Sequence, residues 1–395
     1  MILKKRRMKI NCNKEKLAVV AVGYNRLKPM QRLLDSLNKA IYPDNDIPLV
    51  ISIDCSNDEL LYSYVQNFEW KFGPKYVIIH TTRLGLRNHI FSCGDLTQYF
   101  KGIILLEDDI YVSPYFYEYT SNAVDYYEKE EDVACIALYA KQLNELQMLP
   151  FTPRKQEYDY YATQTVITWG QCWTTRMWEG FKQWIQKTDI PQWDLLDIPQ
   201  RIKNRKRAWS NYFYAYIVEK SKYVVSPYES FTTNFNEPGE HNVKASATVQ
   251  VPLVMRHPNL ICGPTAKLVK YDSYMNPIGL GAYFGVKDDD LCVNLHGGRP
   301  NDFKKRYILT TELLPYKVIK SYGLKTRPIE TNIIMNIEGD GIWLYDTSIQ
   351  TRGKMTKHQT IEHILYELRG FNVFYLLDVV KLYAVNKIKK MFKVK

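Results

Sequence analysis

The chain lacks any run of roughly 18 apolar residues, the minimum for a helix that crosses a bilayer, so no transmembrane segment is expected. No secretory leader is expected either, because the opening "MILKKRRMKINCNKEK" is basic without an apolar core. Its seven cysteines form no CxxC pair and no Cys/His spacing of a zinc site, which fits reduced thiols in a reducing compartment. These absences together point to a cytoplasmic protein. No dense Lys/Arg block interleaves with aromatic residues, and the nearest approach, "RIKNRKRAW" (201–209), is short. A nucleic-acid partner is therefore not expected. Internal repeats and low-complexity tracts are missing as well.

What is present describes a folded protein. Its 395 residues are enough for a sizeable core, and 46% hydrophobic with 24% charged residues is ordinary for a globular chain. A formal charge of +11 by itself favours a polyanionic neighbour: nucleic acid, anionic lipid or a phosphorylated substrate. The 31 tyrosines lift the aromatic share to 14%, and flat rings with polar edges suit sugars and bases alike.

Hydrophobic patterning sets the organisation. "KLAVVAVGYNR" reads as a buried strand ending at Gly23, followed by a helix with Met30, Leu33, Leu34 and Leu37 on one face. "IPLVISIDCSND", "KYVIIHTT" and "KGIILLEDD" read as further strands separated by helical segments. This alternation predicts an α/β fold with a mainly parallel central sheet, whose ligands bind at the carboxyl ends of the strands. The expected organisation is a basic tail (1–15), an α/β domain (16–258), a C-terminal α+β extension (259–370) and a basic amphipathic helix (371–395). That last segment combines apolar residues on one face with several lysines, the composition of a helix lying on an anionic membrane. "KDDDL" around Asp288–Asp290 follows no aliphatic strand and reads as a solvated turn.

The aliphatic run Ile103–Leu106 drives directly into Glu107, Asp108 and Asp109. Adjacent carboxylates repel one another unless a cation neutralises them. Oxygen-only ligation points to Mg²⁺ or Mn²⁺, typically held by one or two carboxylates plus phosphate oxygens. Asp54 stands at a neighbouring strand end and should face the same crevice.

"VVAVGYNR", "PLVISIDCSND" and "FKGIILLEDDIYVSPYFYEY" resemble the nucleotide-sugar-binding half of GT-A glycosyltransferases, most specifically the N-acetylglucosaminyltransferase I family and its bacterial relatives. The resemblance runs over about 16–245 and is most specific over 101–119, including Pro114, Phe116, Glu118 and Tyr119. It implies a GT-A, Rossmann-like fold and an inverting transferase that uses a UDP-sugar donor with Mn²⁺ or Mg²⁺. Asp109 is implied as the metal ligand, with Glu107 and Asp108 contacting sugar or ribose. Asp54 is implied as the carboxylate that recognises the uracil ring, and Arg26 as a nucleotide contact. Asn88 or His89 would approach the base. Asp194 in "QWDLLD" stands where the family has its catalytic base. The family's adjacent second acid is Leu195 here, so Asp197, one turn on, is carried as a second candidate. "TWGQCWTTRMW" resembles the loop over the donor sugar, with Gly170 allowing close approach and Trp173 forming a wall. "NEPGEHN" resembles a loop that orders on the donor, with His241 toward a phosphate.

The acceptor implied is a glycan or lipid-linked glycan of a bacterial surface polymer such as capsule or lipopolysaccharide. Two other readings stand beside this one. A nucleotidyltransferase of similar fold would want a Gly-rich phosphate loop after the first strand, and "VGYNRLKPM" has one Gly. A non-catalytic glycan- or nucleic-acid-binding protein would show no metal-dependent nucleotide binding.

Overall fold

The computed structural model describes residues 10–188, 193–204, 208–235, 237, 247–302, 304–352, 365–368 and 373–392. The chain divides into two compact units, one of Met1–Leu146 with Thr152–Leu280 and one of Gln147–Phe151 with Gly281–Lys395.

The first unit is built on a nine-stranded sheet. Its elements in chain order are β1 (Asn13–Gly23), α1 (Leu27–Asn38), β2 (Leu49–Ile53), α2 (Glu59–Asn67), β3 (Lys75–Ile79), α3 (Gly85–Gly94) and β4 (Phe100–Glu107). There follow β5 (Ile110–Val112), α4 (Phe116–Tyr127), β6 (Val133–Ala137), β7 (Tyr160–Thr163), β8 (Gln171–Thr174) and α5 (Thr175–Lys187). The unit closes with α6 (Trp209–Glu219), β9 (Tyr223–Pro227), β10 (Thr232–Asn234) and β11 (Lys270–Tyr271). In these labels the sheet order is β11-β7-β9-β6-β8-β4-β1-β2-β3, and β5 pairs with β10 in a separate ribbon.

The α/β class read from the sequence is the class the chain adopts. Five of the eight pairings in the large sheet are parallel, including every one among β1 to β4. The antiparallel pairings cluster around β8 and between β7 and β9. Leu17–Gly23 and Gly102–Leu106 are buried on both faces, which is why β1 and β4 read as unbroken aliphatic runs rather than alternating ones. Helix α1 buries Met30, Leu33, Leu34 and Leu37, the spacing that lays one apolar stripe against the sheet.

Behind β8 lies an aromatic layer. Trp173 packs against Trp178 of α5 at 5.0 Å between ring centroids, and against Trp209 and Phe213 of α6 at 5.7 and 5.8 Å. Phe181 meets Phe213 at 4.9 Å, so α5 and α6 interlock through rings. Truncating one such fully buried ring to Ala costs about 3–5 kcal/mol.

The second unit holds β12 (Leu291–Asn294), β13 (Tyr307–Thr310), β14 (Tyr316–Tyr322) and β15 (Ile342–Gln350), in the order β12-β13-β15-β14. Cys292, Ile308, Leu314 and Tyr345 form its small core. Asp288–Asp290 make an exposed single turn before β12. A terminal helix, α7 (Val373–Phe392), follows. No helix among the described residues is long and apolar enough to cross a membrane.

Candidate functional site

From β1 the chain runs to β2 and β3 on one side, then crosses to β4 on the other. The order of strands therefore reverses beside β1, and the diverging connections open a crevice beyond the carboxyl ends of β1 and β4. A cavity of about 310 Å³ occupies that place. Gly23, Tyr24 and Arg26 line it from the end of β1, Asp54 from the end of β2, and Glu107, Asp108 and Asp109 from the end of β4. Gly85, Leu86 and His89 enter from α3, and Trp209 and Ser210 from the first turn of α6. Six of the sequence-derived candidates thus converge: Arg26, Asp54, His89, Glu107, Asp108 and Asp109.

Arg26 organises the acidic cluster. Its Nε donates to Asp108 Oδ2 at 3.1 Å, its Nη2 donates to Asp108 Oδ1, and Nη2 also lies 3.5 Å from Asp109 Oδ2. Burial works against the guanidinium's charge, but hydrogen bonding and attraction to Asp108 raise its pKa further. The carboxyl pKa values are raised too, which for an acid favours the neutral form. Burial and the charges of Asp109 and Asp108 raise Glu107 to about 8, with Arg26 only moderating the effect. Burial raises Asp108 to about 6 in spite of Arg26. One cation facing three carboxyls leaves the cluster short of positive charge.

The donor set suits a divalent ion of the Mg²⁺ or Mn²⁺ kind, since it is all oxygen. Arg26 occupies both oxygens of Asp108, so Asp109 is the carboxylate less committed within the protein. Among the described residues no three acidic, His or Cys side chains converge as a ready-made cage. That arrangement fits an ion completed by ligand phosphate oxygens rather than by protein alone.

Asp54 is held by backbone. Its Oδ1 accepts from Cys55 N at 2.8 Å and Leu84 N at 2.8 Å, and its Oδ2 from Gly85 N at 2.9 Å. Burial opposes its ionisation, but those three N–H groups outweigh it and hold the carboxylate below its usual range. The side chain ties the end of β2 to the start of α3, and Gly85 takes φ +73 at that junction. Below it, His89 Nε2 lies 2.7 Å from Ser52 Oγ, and the His80 ring stands edge-on at 5.1 Å. Burial and His80 lower His89 to about 4 against the pull of Asp54.

The other candidates lie elsewhere. Asn88 is exposed on α3, its Nδ2 donating to Leu84 O at 3.1 Å, and is not part of the cavity wall. Trp173, read as a wall of the donor site, is wholly buried in the aromatic layer and does not line the cavity. On β8 it points to the helices, and the indole that reaches the cavity is Trp209. Gly170 has φ +95, and a Cβ there would stand 2.7 Å from Thr232 Cγ2, so glycine is required where this loop passes β10. Asp194 and Asp197 are exposed near the short turn Trp193–Leu195 and do not line the cavity. Trp193 itself packs edge-on against Tyr212 of α6 at 5.5 Å. His241 lies outside the described residues.

Sequence reading missed several wall residues. Tyr24 carries the guanidinium of Arg83 over its ring at 4.7 Å, and both line the cavity. Glu237 also lines it, held by a two-pronged pair with Arg32 of α1 at 2.9 and 2.7 Å. Hydrogen bonding to Arg32 keeps Glu237 below the usual carboxylate range. The sequence signal for Glu237 is its place in "NEPGEHN", the same stretch that carries His241.

No protein-family model matches this chain, and comparison with curated proteins returns no match. Among solved structures, S. aureus TarS 1–349 in complex with UDP-GlcNAc is similar over 57% of this chain and 60% of its own, at 16% identity and a TM-score of 0.37. GalNAc-T7 with UDP, GalNAc and Mn²⁺ is similar over 54% of this chain and 42% of its own, at 15% identity and a TM-score of 0.38. The mannosyltransferase PcManGT from Pyrobaculum calidifontis, in complex with GDP-Man and Mn²⁺, is similar over 46% and 50%, at 12% identity and a TM-score of 0.31. The chain thus spans no more than 60% of the length of any of these three.

Proposed function

We propose that the chain is a metal-dependent inverting glycosyltransferase of the GT-A type, moving a sugar from a UDP-sugar to a hydroxyl of a glycan acceptor. The observation that carries this reading is the cavity at the strand-order reversal, where three carboxyls and Arg26 meet a helix start pinned by Asp54. GlcNAc is the donor sugar the sequence resemblance favours, and a bacterial surface polymer is the acceptor class.

In this reading the Tyr24–Arg83 stack offers a flat face and a cation to the base, while Asp54 holds the β2–α3 junction beside the uracil edge. Glu107 and Asp108 face the ribose and sugar hydroxyls, and Arg26 fixes Asp108 in orientation. A divalent ion on Asp109, Mn²⁺ or Mg²⁺, would supply Lewis-acid stabilisation of the departing diphosphate. Asp194 is the proposed base, removing the acceptor proton from the side opposite the leaving group. Its support is local: the turn that bears it packs on α6, the helix whose first turn forms the cavity wall. Asp197, three residues on, is the second candidate.

The membrane enters through α7. Phe374, Tyr375, Leu377, Val380 and Tyr383 are all exposed there, and the sequence places Lys387, Lys389 and Lys390 in its second half. We assign it to the surface of an anionic membrane on the cytoplasmic side, where a lipid-linked acceptor would reside.

Titration of UDP with and without Mn²⁺, read as a thermal shift, tests the core of this reading. The expected result is a Mn²⁺-dependent stabilisation by UDP that Asp109→Ala abolishes. A shift that ignores Asp109, or none at all, sinks it. A nucleotidyltransferase would instead release nucleoside triphosphate from a UDP-sugar and pyrophosphate. The β1–α1 turn has no glycine beyond Gly23 to cradle such a phosphate chain.

A further inference from the structure

A second cavity, of about 240 Å³, adjoins the first: Thr168 and Ser210 line both. Its charged groups are distinctive. Lys141, on the loop beyond β6, is 6% exposed, and a lysine so buried needs a partner. Lys141 Nζ pairs with Glu145 at 2.6 Å, one charge against one. Arg201 also lines the cavity, and among the described residues its Nη1 donates to the backbone carbonyl of Glu145, at 3.2 Å. Among the described residues no carboxylate lies within ion-pair distance of that guanidinium. The cavity therefore carries one positive charge more than its own acids neutralise. Thr165, Asn211 and the shared Thr168 and Ser210 add polar groups, while Tyr214 and Met275 give an apolar side.

We infer that this second cavity is the acceptor subsite and that it takes an anionic sugar or polyol, one carrying a phosphate ester or a carboxylate. The inference rests on the donor reading above, because it places the acceptor beside the sugar to be transferred. A hydroxyl that attacks the donor has to lie next to it, and the cavity sharing two wall residues with the donor site is so placed. Arg201 offers the planar fork that matches phosphate or carboxylate in pairs of hydrogen bonds. A neutral sugar would make no use of that charged fork.

Calorimetric titration of the full chain with Mn²⁺ and UDP present, using glycerol 3-phosphate, glucuronate and glucose as probes, tests this. At least one anionic probe is expected to bind ~10-fold or more tightly than glucose, and the stronger of the two identifies phosphate or carboxylate as the group recognised. Arg201→Ala should weaken that probe by roughly 10-fold, the scale of one charge-assisted hydrogen bond, while leaving the UDP titration unchanged. Arg201 is exposed, so its removal tests charge and not folding. Equal binding of glucose and the anions, or an Arg201→Ala protein that binds them as before, overturns the inference even when UDP binds normally. Loss of UDP binding in the wild-type chain, with Arg201-dependent anion binding retained, overturns the donor reading instead and upholds the anion site.

Discussion

Arg26 answers for more than one carboxylate. Removing it would leave Asp108, 4% exposed, with an uncompensated charge among like charges. The cluster is held at the edge of ionisation, with Glu107 raised to about 8. His89 shows the opposite displacement and gives a measurable pH dependence. Burial first, then His80, lowers its folded pKa to about 4, below the unfolded value near 6.5. A base with a depressed folded pKa is neutral in the native state, so its contribution is complete above pH ~6.5 and is lost as pH falls toward ~4. In urea unfolding the wild type should lose up to about 3 kcal/mol across that window relative to His89→Gln, a difference that separates His89 from Glu107 and Asp108, whose raised pKa values act in the opposite sense. His89→Gln, which keeps a hydrogen-bonding partner for Ser52, should flatten the profile. An unchanged slope in that variant would rule the histidine out as its source.

Asp54 joins two elements, and its effect belongs at that scale. It bonds the first N–H groups of α3 as a capping side chain does. Asp54→Ala should cost about 1–2 kcal/mol on that basis, and amide exchange should quicken at Leu84 and Gly85 before it changes in β1 or β4. Uniform exchange across the unit would show that the tie is not local. Elements also explain what could be read in advance. Helix α1 and strand β4 were legible because their burial follows from local pattern: a stripe at helical spacing and a continuous aliphatic run. The cluster Glu107–Asp109 and its partner Asp54 were legible because parallel strands deliver their carboxyl ends to one side. The position of β8 between β4 and β6 was not, since antiparallel insertion depends on pairings between residues far apart in sequence. Trp173 illustrates the cost. Its sequence neighbourhood suggested a site wall, whereas alternation along β8 turns it into the aromatic layer.

Across the whole molecule, a charge of +11 joins an exposed apolar helix at one end of the chain. Co-sedimentation should show binding to phosphatidylserine-containing vesicles and little to neutral ones, falling as salt rises past physiological strength. Removing residues 373–395 should abolish it without altering UDP-dependent thermal shifts. Vesicle binding that survives the deletion would move the membrane contact elsewhere. The two adjoining cavities have a further consequence. Because Thr168 and Ser210 belong to both walls, an occupant of either cavity changes the surface offered to the other. Thermodynamic reciprocity then requires that the factor by which bound nucleotide alters affinity for the second ligand equals the factor in reverse. The two substrates would report on each other through a hydroxyl pair, and a coupling of either sign would appear equally in both titrations.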